Sequence, residues 1–235
     1  MIKFFRKNRQ QLLTENKFSK YLIYAIGEII LVVIGILIAL GINNWNENRK
    51  KVVTKHLIYE RILIDIEKEI SFINRTIQYS DNNLHLLKKL KTDSLEFKAF
   101  AQYKVFDFFI DGLIYLPEDV GFEQLKTINT KDSLSVKIVT QYEKGLATIK
   151  YFEDDIQHFC NQNTEHWRDN YKWFAGVFEG EFSEDSKKYF MNDWDFKNRT
   201  AHLYDIVNKY RMMLKFHKKE MEEIKSEIEN ILDNN

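Results

Sequence analysis

Apolar positions along this chain fall into one unbroken block near the start, followed by stripes at helical spacing. Tyr21 to Ile42, YLIYAIGEIILVVIGILIALGI, is 22 residues long with Glu28 as its single formal charge. At about 1.5 Å per residue it spans roughly 33 Å, against about 30 Å for bilayer hydrocarbon, which predicts one transmembrane helix. Beyond it, Val52, His56, Tyr59, Leu63, Ile66, Ile70, Ile73, Ile77, Ser80, Leu84 and Leu87 recur at alternating steps of four and three, a coiled-coil-like seam. A second long helix is expected from about Leu134 to Phe178, with Val139, Tyr142, Leu146, Ile149, Phe152, Ile156 and Phe159 on one face. A third, from about Asn198 to Leu232, carries Leu203, Ile206, Tyr210, Met213, Ile224, Ile228 and Ile231. No strand-like alternation of useful length competes. The expected class is all-α: one N-terminal transmembrane helix, then an extended antiparallel helical bundle with coiled-coil-like packing.

That pattern divides the chain into residues 1–20, a basic amphipathic tail, residues 21–42, the span, and residues 43–235, a helical bundle domain; six Lys/Arg before the span against five in the 20 residues after it favour a cytoplasmic tail. The tail carries six Lys/Arg and one Glu among Phe4, Phe5, Leu12, Leu13 and Phe18, as an interfacial helix on anionic headgroups would. A cleaved signal peptide has a core of about 7 to 15 residues and a small-residue cleavage site, which Ala39-Leu40-Gly41 imitates poorly. Glu28 falls inside the apolar layer. At about 100° per residue it shares a face with Gly35 and Ala39, the small-xxx-small spacing that lets two helices approach closely. A carboxylate there is expected to bond across a helix interface rather than to relay protons, since no second polar group accompanies it. Tyr21, Tyr24 and Trp45 flank the block as interfacial anchors.

Between the long helices, Asp93-Ser94 and Asp132-Ser133 supply N-cap oxygens, and Pro117 with Glu118 and Asp119 opens a short helix. Two or three short helices are expected there. An up-down-up order of the long helices would return Trp167 to Phe196 toward the bilayer.

Charge narrows the partners. Formal net charge is zero, but beyond the tail and Glu28 there are 29 basic against 33 acidic residues. No basic face is left for nucleic acid. A single cysteine, Cys160, excludes an internal disulfide and reads as a small core residue. Scattered glycines form no phosphate cradle, and no nucleophile motif appears. The best metal candidates are Asp154, Asp155 and His158 with Glu165 and His166; Asp155-x-x-His158 imitates half of a di-metal bundle motif, but the second Glu-x-x-His that such a site needs is missing. No metal, cofactor or catalysis is therefore expected. The remaining feature is a run of ten aromatic rings from Trp167 to Phe196. Trp167, Tyr171, Trp173, Phe174 and Trp194 are candidates for a partner or ligand surface, with a satellite core as the structural alternative.

The stretch KFSKYLIYAIGEIILVVIGILIALGINNWNE, Lys17 to Glu47, with the preceding MIKFFRKNRQQLLTEN, resembles the N-terminal signature of a family of small membrane proteins of unknown function from flavobacteria and their relatives. The resemblance is close over residues 1–50 and looser in GFEQLKTINTKDSLSVKIVTQYE, where Thr127-Ile128-Asn129 stands where the family carries a Gly. It implies a single-pass protein of the bacterial inner membrane with its N-terminus in the cytoplasm and a helical domain outside it. No activity comes with it. The expected function is a membrane-anchored structural or interaction protein, partnered by the lipid bilayer and by a second copy or another membrane protein. The alternative is a ligand-sensing helical module acting through a partner.

Overall fold

The computed structural model describes residues 18–112, 115–128 and 132–233. Of these, 87% are helical, and no strand occurs among them. The elements are α1 (Phe18–Lys91), α2 (Phe97–Gln102), a 3-10 turn (Val105–Phe109), α3 (Val120–Thr127), α4 (Ser133–Asn170), α5 (Phe174–Phe178), α6 (Glu184–Asn192) and α7 (Trp194–Asp233). Contacts divide the chain into two compact units, Met1–Lys55 and His56–Asn235.

The described part of the first unit is helix. Its most apolar 18-residue window has a mean hydropathy of 2.8 with none of it buried. This is a helix long and apolar enough to cross a membrane, a character that signal sequences share. Residues 1–17, with most of the basic tail, and the side chains of Tyr21 and Tyr24 lie outside the described residues, as does Asn129.

In the second unit the predicted seam faces the interior. Tyr59, Ile66, Ile73, Ser80, Leu84 and Leu87 are buried, with His56, Leu63, Ile70 and Ile77 half-buried beside them. Upstream, in the first unit, Val52 is exposed. Two apolar clusters make the core. One gathers Ile58, Tyr59, Ile62 and Ile66 with Phe122, Leu125, Ile138, Met221, Ile224 and Ile228. The other gathers Leu84, Leu87 and Leu90 with Phe100, Phe106, Phe109, Trp167, Phe190 and Phe196.

The order of the long helices differs from the expected up-down-up arrangement. Tyr59 and Ser135 hydroxyls meet at 3.1 Å near the starts of their stretches, and a crevice shared by Tyr79, Asn83, Leu87 and Ile156 joins their later parts. So α4 runs in the same sense as this part of α1. Only α7 is antiparallel: Lys225 pairs with Glu67 at 2.7 Å and Lys197 with Asp93 at 2.9 Å, while α4 and α7 are joined by Lys137–Glu227 and Arg199–Asn163. The physical reason is the connector between α1 and α4. Its 3-10 turn packs at the Leu87 end and α3 at the Ile62 end, so the connector itself makes the return journey. The aromatic segment therefore lies at the Leu84–Leu95 end of this unit, and not at the His56 end that an antiparallel second helix required.

Local signals explain the boundaries. Asp132 caps α4 by accepting from Ser135 N at 3.0 Å, as its position before an apolar-periodic run predicts. Asp93-Ser94 acts differently from its expected capping role. Asp93 adopts φ 54°, and Ser94 N donates to Lys89 O at 2.9 Å, which closes the C-terminus of α1. Glu96 is the residue before α2 and caps it with no side-chain bond. The second predicted helix also stops early, because Tyr171 turns extended and α5 forms separately.

Candidate functional site

Three chain segments converge at the aromatic end. The C-terminus of α4 supplies Asn170, the turn after it Tyr171, Lys172 and Trp173, and α6 with the start of α7 supplies Ser183, Asp185, Lys188, Tyr189, Asn192, Asp193 and Trp194; together they line an open depression of about 930 Å³. Ser183 fixes α6 by accepting from Ser186 N at 3.2 Å, with Glu184 and Asp185 in the favourable first turn.

Beneath the depression sits a layered aromatic packing. Tyr171, Trp173 and Tyr189 approach one another with centroids 4.8 to 5.3 Å apart, and Trp167, fully buried, meets Phe106 at 5.4 Å. Such tilted ring contacts add to the burial of each ring. A polar chain runs through them. Trp167 Nε1 donates to the Tyr189 hydroxyl at 2.7 Å, which donates to Asp195 Oδ2 at 2.6 Å. Arg199 Nε donates to the same Asp195 oxygen at 2.9 Å and a second Arg199 nitrogen to Asn163 Oδ1 at 2.7 Å. Burial pushes the Tyr189 hydroxyl well above its ordinary pKa, and the Asp195 carboxylate pushes it further. For Asp195, burial acts upward, but hydrogen bonds from Arg199 and Tyr189 outweigh it and hold the carboxyl below its usual range.

Of the five residues picked out by aromatic density, Tyr171, Trp173 and Trp194 line the depression and Trp167 forms its support. Phe174 packs edge-on against Phe178 at 4.9 Å, away from it. Trp194 is 72% exposed. Its lining charges cancel, Lys172 and Lys188 against Asp185 and Asp193, so this surface suits an uncharged or mixed partner with ring or apolar groups.

In the first unit, Glu28, Gly35, Ala39 and Trp45 are all exposed, and a Cβ built on Gly35 meets nothing within 4 Å. The metal-like set does not converge. Asp154 is taken by Lys150 at 2.7 Å, His158 by Gln162 at 3.0 Å, and His166 by Asp195 at 3.3 Å. No cluster of three metal-ligating side chains occurs among the described residues. Cys160 is buried and donates to Asp111 O at 3.3 Å; burial, followed by Asp111, pushes its thiol up to about 12.

A buried acid–histidine group escaped the sequence reading. Glu69 and His217 are both almost fully buried, with His217 Nε2 donating to Glu69 Oε1 at 2.8 Å and the Tyr115 hydroxyl donating to the same oxygen. Asp65, one turn earlier, pairs with Arg61 at 2.9 Å and accepts from Gly121 N at 2.7 Å. Both nearby glycines are required by close approach. A Cβ at Gly145 would lie 2.1 Å from His217 Nδ1, and one at Gly121 would lie 2.9 Å from Ile62 N. The available signal was Asp65 and Glu69 at i, i+4 on a face otherwise apolar. His217 is 148 residues away, so periodicity could not pair them.

A family model described as a family of unknown function (DUF6090) matches residues 28–111, from within the apolar block to the 3-10 turn. No curated protein and no solved structure matches the chain.

Proposed function

We propose that this is a single-pass inner-membrane protein that presents a helical interaction domain on the periplasmic side, with its N-terminus in the cytoplasm and without catalysis of its own. The observation that carries this reading is the apolar window of mean hydropathy 2.8 with none of it buried by the chain itself. Such a surface exposed to water would be costly, roughly 25 cal/mol for each Å², whereas in lipid it is at home. In this reading Glu28, Gly35 and Ala39 form the packing face of the span, and Tyr21, Tyr24 and Trp45 mark its interfaces. Partners are the bilayer and a second copy or another membrane protein.

The depression around Tyr171, Trp173 and Trp194 favours a second reading, a ligand-sensing module acting through a partner membrane protein. The two are separated by purification in mild detergent. A stable co-purifying protein or a stable second copy supports the first, a bound small molecule the second, and a chain that purifies as an empty monomer contradicts both. Orientation is read by a periplasm-dependent reporter fused after Asn235, which is expected to be active. Activity of a cytoplasm-dependent reporter at that point would reverse the topology.

A further inference from the structure

The second unit leaves part of its own helix uncovered. Leu57 is 61% and Ile64 49% exposed. Seven residues apart, they project within about 20° of each other, on the side of α1 away from Ile58, Ile62, Ile66 and Ile73, which the core buries. Charges flank the two residues asymmetrically: by helical phase Glu60 and Glu67 lie to one side, Arg61 and Lys68 to the other.

We propose that the Leu57–Ile64 face binds the same face of a second copy of this chain, in parallel. The charge pattern selects both occupant and direction. Under a two-fold axis along the helices, the acidic flank of one copy lies against the basic flank of the other, Glu60 and Glu67 facing Lys68, while Arg61 stays with the buried Asp65 at 2.9 Å. An antiparallel pairing would set acid against acid. Glu67 and Lys68 keep exposed side chains despite their contacts with Lys225 and Glu118, so both remain available to a neighbour. Parallel orientation is also the one that two copies anchored in one bilayer must share; that argument rests on the membrane reading above.

The test uses full-length chains in native membranes, with Cys160→Ser as background and one new cysteine each at Leu57→Cys, Ile64→Cys or Lys219→Cys, the last an exposed site on α7. Mild oxidation is expected to give several-fold more disulfide-linked dimer at positions 57 and 64 than at 219. Glu67→Lys in the Ile64→Cys chain is expected to lower that yield, and adding Lys68→Glu to restore it. Yields at 57 and 64 no higher than at 219 would overturn the proposal, as would crosslinks only to other proteins. Membrane retention is read on the same samples. A chain released from the membrane yet crosslinked would sink the anchoring reading and leave the pairing standing; a retained chain without crosslinks does the reverse.

Discussion

Two stretches of α1 carry large apolar residues at different densities and treat them in opposite ways. From Leu22 to Ile42 the large apolar side chains are exposed, while Ile58, Tyr59, Ile62, Ile66 and Ile73 are buried by α3, α4 and α7. Polar residues explain the difference. Between His56 and Lys91 they interrupt the apolar positions at helical spacing, so one side of the helix has a core to face and the others have water. In the earlier block nearly every direction is apolar, and no orientation satisfies water. Within this helix, how much of the surface is apolar and how it is distributed around the helix both separate the buried stretch from the exposed one.

The largest effect should separate the two stretches directly. Trp167→Ala removes the ring on which the aromatic end packs and is expected to destabilise the second unit by about 3 to 5 kcal/mol, whereas Leu31→Ala should leave its urea midpoint unchanged. Equal shifts in far-UV circular dichroism melts would dissolve the distinction. Next comes the buried pair. His217→Ala leaves the buried Glu69 with Tyr115 as its remaining side-chain donor among the described residues and should cost about 2 kcal/mol. Gly145→Ala, which collides with the same ring, is also destabilising, yet its cost should fall sharply in the His217→Ala background. Additive costs would place the collision elsewhere.

The smallest effects concern two carboxylates of opposite sign. Asp195 is held below its usual range, so its stabilising contribution is full above its unfolded pKa and is lost as pH falls through the folded value. Asp195→Asn should therefore lower the thermal midpoint at neutral pH, with the deficit shrinking in acid. Glu153 is raised, chiefly by burial, so its ionised form weakens the fold at neutral pH. Glu153→Gln should raise the midpoint there, a gain that fades as pH falls below the folded value. Parallel pH profiles for the two variants would contradict this assignment.

Much of the architecture was readable from periodicity, because Ile66, Ile73, Leu87, Ile149, Ile156, Leu203 and Ile224 mark their faces by spacing alone. Asp132 announced its cap, and the ring density announced the aromatic end. The direction of α4 was not readable: it depends on how far the connector travels, and Phe109 and Phe122 carry no signal of which end each will meet. Asp93 read as a cap because its side chain suits one, while the structure uses its backbone at φ 54° to stop α1. The Glu69–His217 pair needed the tertiary fold, since only packing brings α7 to that turn of α1.

The central claim is that the apolar block remains with the protein as a membrane span. Membranes carrying the full-length chain, washed with alkaline carbonate and floated through a density gradient, test it when the recovered protein is weighed intact by mass spectrometry. The account predicts that the chain floats with the lipid at a mass that includes residues 21–42. Recovery in the soluble fraction, or at a mass lacking that block, would contradict it.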